Sequence, residues 1–418
     1  MLVLFASMIQ RSLPLLTIKP LGGTYTLHDD TALTWQGWFS GKYQAHRDDY
    51  LTDHFELRNL FIRCRNQVDY SLFNKPDAGD IVIGKKGELY NTWYIDSYNG
   101  GNFIGTRSIN DKLRKLKLIQ EKLAEMHKTL LVVFAPSKDL YNPQNLPEGT
   151  LKSDSNNHDV FIKLAKQKDL NFIDFGTYFA EQKDKTPYPL FGKHGAHWSY
   201  YGACLGADSI ISMMEKLRDI KMPHTIWRTN IISEEEDKDE LELESELNLI
   251  FPLKHDKMGH PQIQDTSNAH QKRPTVMVIG DSYIWNLTSH YNFWNCFSSF
   301  KFSYYYNTLY TPGKGETMKS DTFNLTEAFK ASDIVVVEGT ESSLNHFGFG
   351  FIDAAFKTLS NDTISDIEFS KKVKSMRNTI KVQPIWMKAI TEKARSGNIS
   401  VDSMLTRDAI WMVEHDIN

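Results

Sequence analysis

Apolar residues recur along this chain in two periods, and the periods alternate. From Asp111 to His127, Leu113, Leu116, Ile119, Leu123 and Met126 fall on one stripe at three- and four-residue steps, which predicts an amphipathic helix. Leu130 to Phe134 follows as a continuous apolar run, the signature of a strand buried on both faces. The pair repeats with a helix over Val160 to Lys166 and a strand over Phe172-Ile173-Asp174-Phe175. Leu205, Ile210, Ile211, Met214 and Leu217 mark a further helix, and Val276-Met277-Val278-Ile279 and Val335-Val336-Val337 mark two more buried strands. Helices alternating with fully apolar strands predict an α/β fold whose mostly parallel sheet is covered on both faces. The tail from Pro384 reads as two helices, Ile385 to Ala394 and Val401 to Val413. They are separated by a turn at Gly397-Asn398, with Ser400 as an N-cap. The acidic stretch from Glu234 to Glu246 reads as a solvated excursion rather than a site.

The strand Val276 to Ile279 empties into Gly280-Asp281-Ser282. Open α/β sheets carry their sites at the carboxyl ends of strands, so Ser282 is a nucleophile candidate. Gly280 allows the turn, and the plain alternative is a strand-to-loop turn with a capping serine. A serine needs a base. The best-placed histidine is His197, in Gly192-Lys193-His194-Gly195-Ala196-His197-Trp198-Ser199, just ahead of a helix. A histidine alone is more often a satisfied core or surface residue, and the serine strand shifts that balance.

With these residues in view, the chain resembles the SGNH-hydrolase-like domain of the alginate O-acetyltransferases, the AlgX/AlgJ-like family. In that family the block order is circularly permuted and the histidine precedes the serine, as here. Trp38-Phe39-Ser40-Gly41-Lys42-Tyr43-Gln44, with Tyr50, Phe55, Arg58 and Arg63, is similar to the family's entry segment. Val82-Ile83-Gly84-Lys85-Lys86-Gly87-Glu88-Leu89-Tyr90 resembles its G-K-x-G-x-L hairpin. Ala135-Pro136-Ser137-Lys138 followed by Tyr141 resembles its P-x-K…Y loop, and Pro189-Leu190-Phe191 leads into the histidine motif. The resemblance runs over roughly residues 35–345. It implies a three-layer α/β/α sandwich, with Ser282 and His197 catalytic and no metal or organic cofactor.

One departure stands out. The family pattern is Asp-x-His-Trp, whose aspartate orients the histidine, and Gly195 occupies that position here. Loss of an orienting acid favours the wrong tautomer. Either Ser282 and His197 act as a dyad, or another acid substitutes, or the site is weakened. Glu338 and Glu341, at the end of the Val335 strand, are candidate substitutes, and are equally read as strand-end groups bonded to backbone. Asp281, beside the serine, is open to an orienting or auxiliary role. The Ser282 N–H is an oxyanion donor candidate. Trp198, Tyr283 and Trp285 are substrate-binding candidates, although the residues after the serine read equally as the packing face of a helix.

Composition narrows the partners. The 418 residues carry a net charge of −4 with no basic stripe, which disfavours nucleic acid. The 9 Trp, 18 Tyr and 24 Phe suit a carbohydrate-facing groove or simply a large core. Cys64, Cys204 and Cys296 are scattered and form neither a metal motif nor a disulfide framework. Residues 1–22 are apolar but broken by Arg11, and read as a residual membrane anchor or signal segment. Residues 23–375 are then the SGNH-like acyltransferase domain and 376–418 a helical C-terminal extension. The resemblance implies an O-acetyltransferase that moves an acetyl group through an acyl-serine onto an exported, alginate-like polysaccharide. It also implies a periplasmic location at the inner membrane and a membrane-bound O-acyltransferase as acetyl donor. A carbohydrate acetyl-esterase and a non-catalytic polysaccharide-binding subunit are the alternatives, the second supported by the missing acid at Gly195.

Overall fold

The computed structural model describes residues 2–23, 25–266, 270–313, 315–319, 323–360, 363–397 and 399–414. The expected alternation is present. Helix α1 (Thr106–Glu125) leads into strand β1 (Thr129–Ala135), then α2 (Asn157–Gln167), β2 (Phe172–Asp174) and α3 (Phe175–Gln182). Helix α4 (Tyr200–Arg218) and the short α5 (Glu242–Leu247) precede β3 (Thr275–Gly280) and α6 (Tyr283–Tyr291). Strands β4 (Ser299–Tyr304), β5 (Thr308–Thr311), β6 (Gly315–Lys319) and β7 (Ile334–Thr340) complete a seven-stranded sheet. Its order is β6-β5-β4-β3-β7-β1-β2. The pairs from β4 through β2 are parallel, and only the β4-β5 and β5-β6 pairs are antiparallel.

Strand β3 lies in the middle, with Val278 opposite Phe302 of β4 on one side and Val336 of β7 on the other. Alternate side chains go to opposite faces. On one face Leu131, Val133, Val276, Val278, Ile334 and Val336 pack with Phe175, Phe179, Ile210, Ile211, Ile284 and Leu287 from α3, α4 and α6. On the other, the Phe134 ring meets Phe161 of α2 at 5.8 Å and Phe347 at 5.4 Å. Ile109, Leu113, Leu116, Ile119 and Leu123 of α1 are fully buried. The result is the three-layer α/β/α sandwich that the resemblance implies. Strand β2 stops one residue earlier than its apolar run suggests. The Asp174 side chain accepts the Thr177 N–H and caps α3, so Phe175 begins a helix.

The chain divides into two compact units, Met1–Ile352 and Asp353–Asn418. In the second, helices Thr363–Lys381, Pro384–Ser396 and Val401–Glu414 share a small core of Ile380, Ile390, Leu405 and Ala409. Ser400 Oγ accepts the Ser403 N–H, the expected cap, while Asn398 of the expected turn lies outside the described residues. At the other end, Leu2–Ser12 is a helix, and among the described residues no helix is long and apolar enough to cross a membrane.

Candidate active site

Three strands of the parallel sheet deliver polar residues to one edge: Asp281 and Ser282 after β3, Thr340 and Glu341 at the end of β7, and Ser137 and Lys138 after β1. Gly280 is needed there for close approach rather than for the turn itself. A Cβ at 280 would stand 2.3 Å from Glu338 Oε2. Glu338 Oε2 accepts the Asp281 N–H at 2.9 Å. The buried Asp281 side chain then clamps the elbow. Its Oδ1 accepts the Tyr283 N–H at 3.1 Å. Its Oδ2 accepts from Thr340 N–H at 2.9 Å, Thr340 Oγ1 at 2.8 Å and Ser343 Oγ at 3.0 Å. With Asp281 serving the N-terminus of α6, Ser282 makes no side-chain cap bond. Its Oγ instead lies 2.8 Å from His197 Nε2. The capping-serine alternative therefore fails, and the two residues, 85 positions apart, meet as a nucleophile and base must.

The loop that carries His197 is held from several sides. Lys138, from the P-x-K…Y loop, donates to Leu89 O at 2.9 Å, Lys193 O at 2.6 Å and Gly195 O at 3.1 Å. It thereby ties the histidine loop to the hairpin of Ile81–Ile83 and Leu89–Asn91. Burial pulls the Lys138 pKa down to about 8, against the attraction of Glu88, Glu236 and Glu242. Behind the loop, Ser199 accepts the Gly202 N–H at the head of α4 and donates to Pro189 O at 2.8 Å.

The third member of the site is Glu242, which the sequence reading did not select. Its Oε1 lies 2.7 Å from His197 Nδ1. A carboxylate there accepts the Nδ1–H and leaves Nε2 free to accept the Ser282 hydroxyl proton, so the contacts fix the tautomer. The side chains of His197 and Glu242 are 22% and 28% exposed, so the relay reaches solvent rather than lying in a sealed core. Gly195 is part of the same arrangement: a Cβ there would stand 2.7 Å from both Glu240 O and Glu242 Oε2. The glutamate fills the space that a side chain at 195 would need.

The acidic stretch is thus a built part of the site, and its reading as a solvated excursion is corrected. Ile231–Glu235 pairs antiparallel with Lys257–Pro261, and α5 follows. Its carboxylates face histidines: Glu236 meets His194 Nδ1 at 2.8 Å, Glu240 meets His260 Nε2 at 2.9 Å and Glu244 meets His255 Nε2 at 2.9 Å. Glu240 also accepts the Tyr200 N–H at 3.0 Å. Glu236 and Glu240 are buried with these partners, and a buried carboxylate needs such pairing.

The two acids proposed to replace the aspartate do other work. Glu338 braces the elbow through Asp281, and burial together with the Asp281 charge pushes its pKa well up. Glu341 accepts from Ser137 Oγ at 2.5 Å, and burial beside it pushes Asp139 well up. Among the aromatic candidates, Trp198 is 1% exposed and packs between Phe175, Phe179 and Tyr283, in space left by Gly206. Tyr283 is equally buried. Its hydroxyl donates to Ala196 O at 2.9 Å and its ring lies 4.8 Å from that of His197. Both are props of the histidine loop, not surfaces for a ligand. Trp285 packs edge-on against Phe302 at 4.8 Å and Tyr310 at 4.9 Å.

An exposed aromatic adjoins the elbow: Tyr305. Its N–H donates to Gly280 O at 2.9 Å, immediately before the elbow, and its side chain is 41% exposed. Tyr305 and Tyr306 both hold left-handed φ, 49° and 48°, a strained pair at the carboxyl end of β4. The signal was available: Phe300, Phe302 and Tyr304 alternate down β4, and Tyr305 is the first residue beyond it.

A strand-to-helix serine, a histidine supplied by an earlier loop and a carboxylate behind it, on an α/β/α sandwich, define an acyl-transferring serine enzyme of the SGNH-like class. The chain belongs to the SGNH hydrolase-like domain family of the acetyltransferase AlgX, whose family model matches residues 81–337. No curated protein matches the chain in sequence. Among solved structures it is similar to the O-acetyltransferase domain of Pseudomonas putida AlgJ, at 13% identity and a TM-score of 0.41 over 66% of this chain and 99% of that one. It is also similar to Pseudomonas aeruginosa AlgX, at 16% identity and a TM-score of 0.36 over 62% of this chain and 55% of that one. Bacillus cereus PatB1 with a sulfonyl adduct matches at 12% identity and a TM-score of 0.41, over 64% and 97% of the two chains.

Proposed function

We propose that this protein is an O-acetyltransferase that carries acetyl on Ser282 and passes it to hydroxyls of an exported, alginate-like polysaccharide. The observation that carries the reading is the unbroken relay from Ser282 through His197 to Glu242, with contacts of 2.8 and 2.7 Å. In the first half-reaction His197 Nε2 takes the Ser282 proton as Oγ adds to the donor carbonyl. The Ser282 N–H faces the developing oxyanion, and Glu242 steadies the imidazolium. His197 then protonates the leaving group and an acetyl-serine remains. In the second, a sugar hydroxyl gives its proton to His197 and attacks the acetyl-serine carbonyl. Ser282 leaves with the proton returned. These steps use the chain's own residues.

The donor is proposed to be a membrane-bound O-acyltransferase, because acetyl groups made in the cytoplasm must cross the bilayer to reach an exported glycan. With that donor goes a periplasmic location, and residues 1–22 are proposed as the tether. A transferase must favour its acceptor over water, which requires hydroxyls bound in line with the acetyl-serine. Tyr305, exposed beside the elbow, offers an apolar face with a polar tip for that purpose. The esterase alternative shares the first half-reaction. The non-catalytic alternative drew its support from the missing acid, and Glu242 removes that support. The test is to supply a chromogenic acetyl ester with and without an oligosaccharide acceptor and measure both products. Acetylated sugar in excess over free acetate supports transfer. Acetate alone, unaffected by any acceptor, favours the esterase.

A further inference from the structure

Three metal-ligating side chains converge behind the histidine loop, and the acyl-transfer steps use none of them. The ligand atoms of His194, Glu244 and His255 all lie within 4.8 Å of one another. Glu244 Oε2 stands 2.9 Å from His255 Nε2 and 3.6 Å from His194 Nδ1. Ligands of a tetrahedral ion with bonds of about 2.0–2.2 Å sit roughly 3.3–3.6 Å apart, so this trio needs adjustments of at most about 1.5 Å. A fourth group adjoins them. Glu236, whose side chain is fully buried, places Oε2 2.8 Å from the same His194 Nδ1.

The donor set is selective. Two imidazoles with carboxylate oxygens suit zinc and its transition-metal neighbours, whereas calcium and magnesium prefer oxygen alone. The local charge points the same way. With neutral imidazoles, Glu236 and Glu244 place two carboxylates in a largely buried space. The buried Lys138 ammonium is nearby and is already committed to three carbonyls. A divalent ion balances both carboxylates at once.

We propose that His194, Glu244 and His255, with Glu236 as fourth ligand, form a binding site for a divalent transition-metal ion, zinc foremost, that locks the acid-bearing segment onto the histidine loop. On binding, the protons that Glu236 and Glu244 accept from His194 Nδ1 and His255 Nε2 leave those nitrogens, each neutral ring takes one up from solvent on its other nitrogen, and both carboxylates turn from hydrogen-bond acceptors to oxygen ligands. The consequence is positional. His194 is three residues before His197, and Glu244 is two residues after Glu242. The Leu243 and Glu244 N–H groups already donate to His194 O at 3.1 and 3.3 Å. One ion would therefore pin the two peptides that carry the 2.7 Å His197–Glu242 contact, without touching a reacting atom.

The test needs no acyl-transfer assay, so it stands or falls apart from the function proposed above. Untagged full-length protein is stripped with a chelator and titrated with Zn²⁺ by calorimetry and with Co²⁺ by visible absorption. The expected result is one saturable equivalent, the intense d–d bands of a four- or five-coordinate Co²⁺ site, and a raised Tm. His255→Ala should weaken binding on the order of 100-fold, at or beyond the range for losing a ligand's supporting partner. His224→Ala, at a histidine–aspartate pair elsewhere, should bind as wild type. Absence of a saturable equivalent, or unchanged binding by His255→Ala, overturns the proposal. Should His255→Ala fail to fold, X-ray absorption of the wild-type zinc complex decides. Two imidazoles bound to the zinc support the site, and fewer than two overturn it.

Discussion

Replacing Glu242 with glutamine removes a charge while keeping the shape of the side chain, and the structure sets the size of the effect. The Glu242 carboxylate accepts from His197 Nδ1 at 2.7 Å. A hydrogen bond to a charged group contributes about 1.5–3 kcal/mol, and the contribution is larger in the transition state, where the ring becomes an imidazolium. Two unit charges about 4 Å apart near a protein surface interact by roughly 4 kcal/mol at an effective dielectric of about 20. Both side chains retain about a quarter of their exposure, and water takes back part of that. A net loss of about 2–3 kcal/mol corresponds to roughly 10²-fold in kcat at ~1.36 kcal/mol per decade. That is well short of the ~10⁴ attached to a fully buried orienting aspartate in serine proteases. The assay is steady-state turnover of a chromogenic acetyl ester by Glu242→Gln, with circular dichroism confirming the fold. Gly195→Asp completes it. A carboxylate introduced there collides with Glu242 Oε2 and the Glu240 carbonyl, so activity should fall. A folded Glu242→Gln enzyme within twofold of wild type, or a Gly195→Asp enzyme faster than wild type, would refute the assignment of Glu242.

Three further outcomes follow from the same contacts. Glu338→Gln should leave both Tm and ester turnover close to wild type, because the amide oxygen can still accept the Asp281 N–H and burial already disfavours a charge at this position. A hundredfold loss of turnover would instead return the orienting role to Glu338. Tyr305→Asn, which tolerates the left-handed backbone, should raise the KM for an oligosaccharide acceptor roughly fivefold, about 1 kcal/mol of lost aromatic contact, with hydrolysis of the ester unchanged. Unaltered acceptor kinetics would remove Tyr305 from the acceptor site. For His158, burial lowers the pKa, but bonds to Asp159 and Asp174 outweigh it and raise the pKa to about 9. A histidine raised in the folded state contributes stability that is fully present below about pH 6.5 and is lost as pH rises through about 9. The stability advantage of wild type over His158→Gln, at most about 3 kcal/mol, should therefore shrink across that window in urea unfolding. A constant difference from pH 6 to 10 would show that the ring is not charged.

Parts of the site were legible from local pattern, and the rest was not. The β3 run and the elbow are contiguous in sequence, so Ser282 could be placed at a strand end from the residues alone. His197 was found because a glycine-rich loop ahead of a helical period is also a local signal. Glu242 has no such signal. It sits 45 residues from His197, in a run of glutamates that is indistinguishable in composition from a solvated loop. Only the tertiary pairing with His194, His197, His255 and His260 reveals what those charges are for. For Tyr283 and Trp285, which follow the serine directly, the sequence left a ligand-facing and a helix-packing reading open, and the burial of Tyr283 fits the second. Tyr283, Ile284, Leu287 and Tyr291 recur at helical spacing, and all four are buried. That period alone marks Tyr283 as a packing residue. Trp198 likewise precedes Gly202 and Gly206 at four-residue steps, where missing side chains leave a slot for an indole.

The central claim is that acetyl rides on Ser282, and trapping the acyl-enzyme tests it most directly. Protein mixed with an activated acetyl ester, quenched in acid within the first turnovers and analysed by intact mass and peptide mapping, should carry one acetyl group. That group should map to the peptide containing Ser282. Ser282→Ala should carry none, while keeping the wild-type Tm to within a few degrees, since truncating a hydroxyl at a strand end opens no core cavity. Glu242→Gln should form the same adduct more slowly. An acetyl group on any other residue, or turnover by Ser282→Ala at the wild-type rate, would contradict the account.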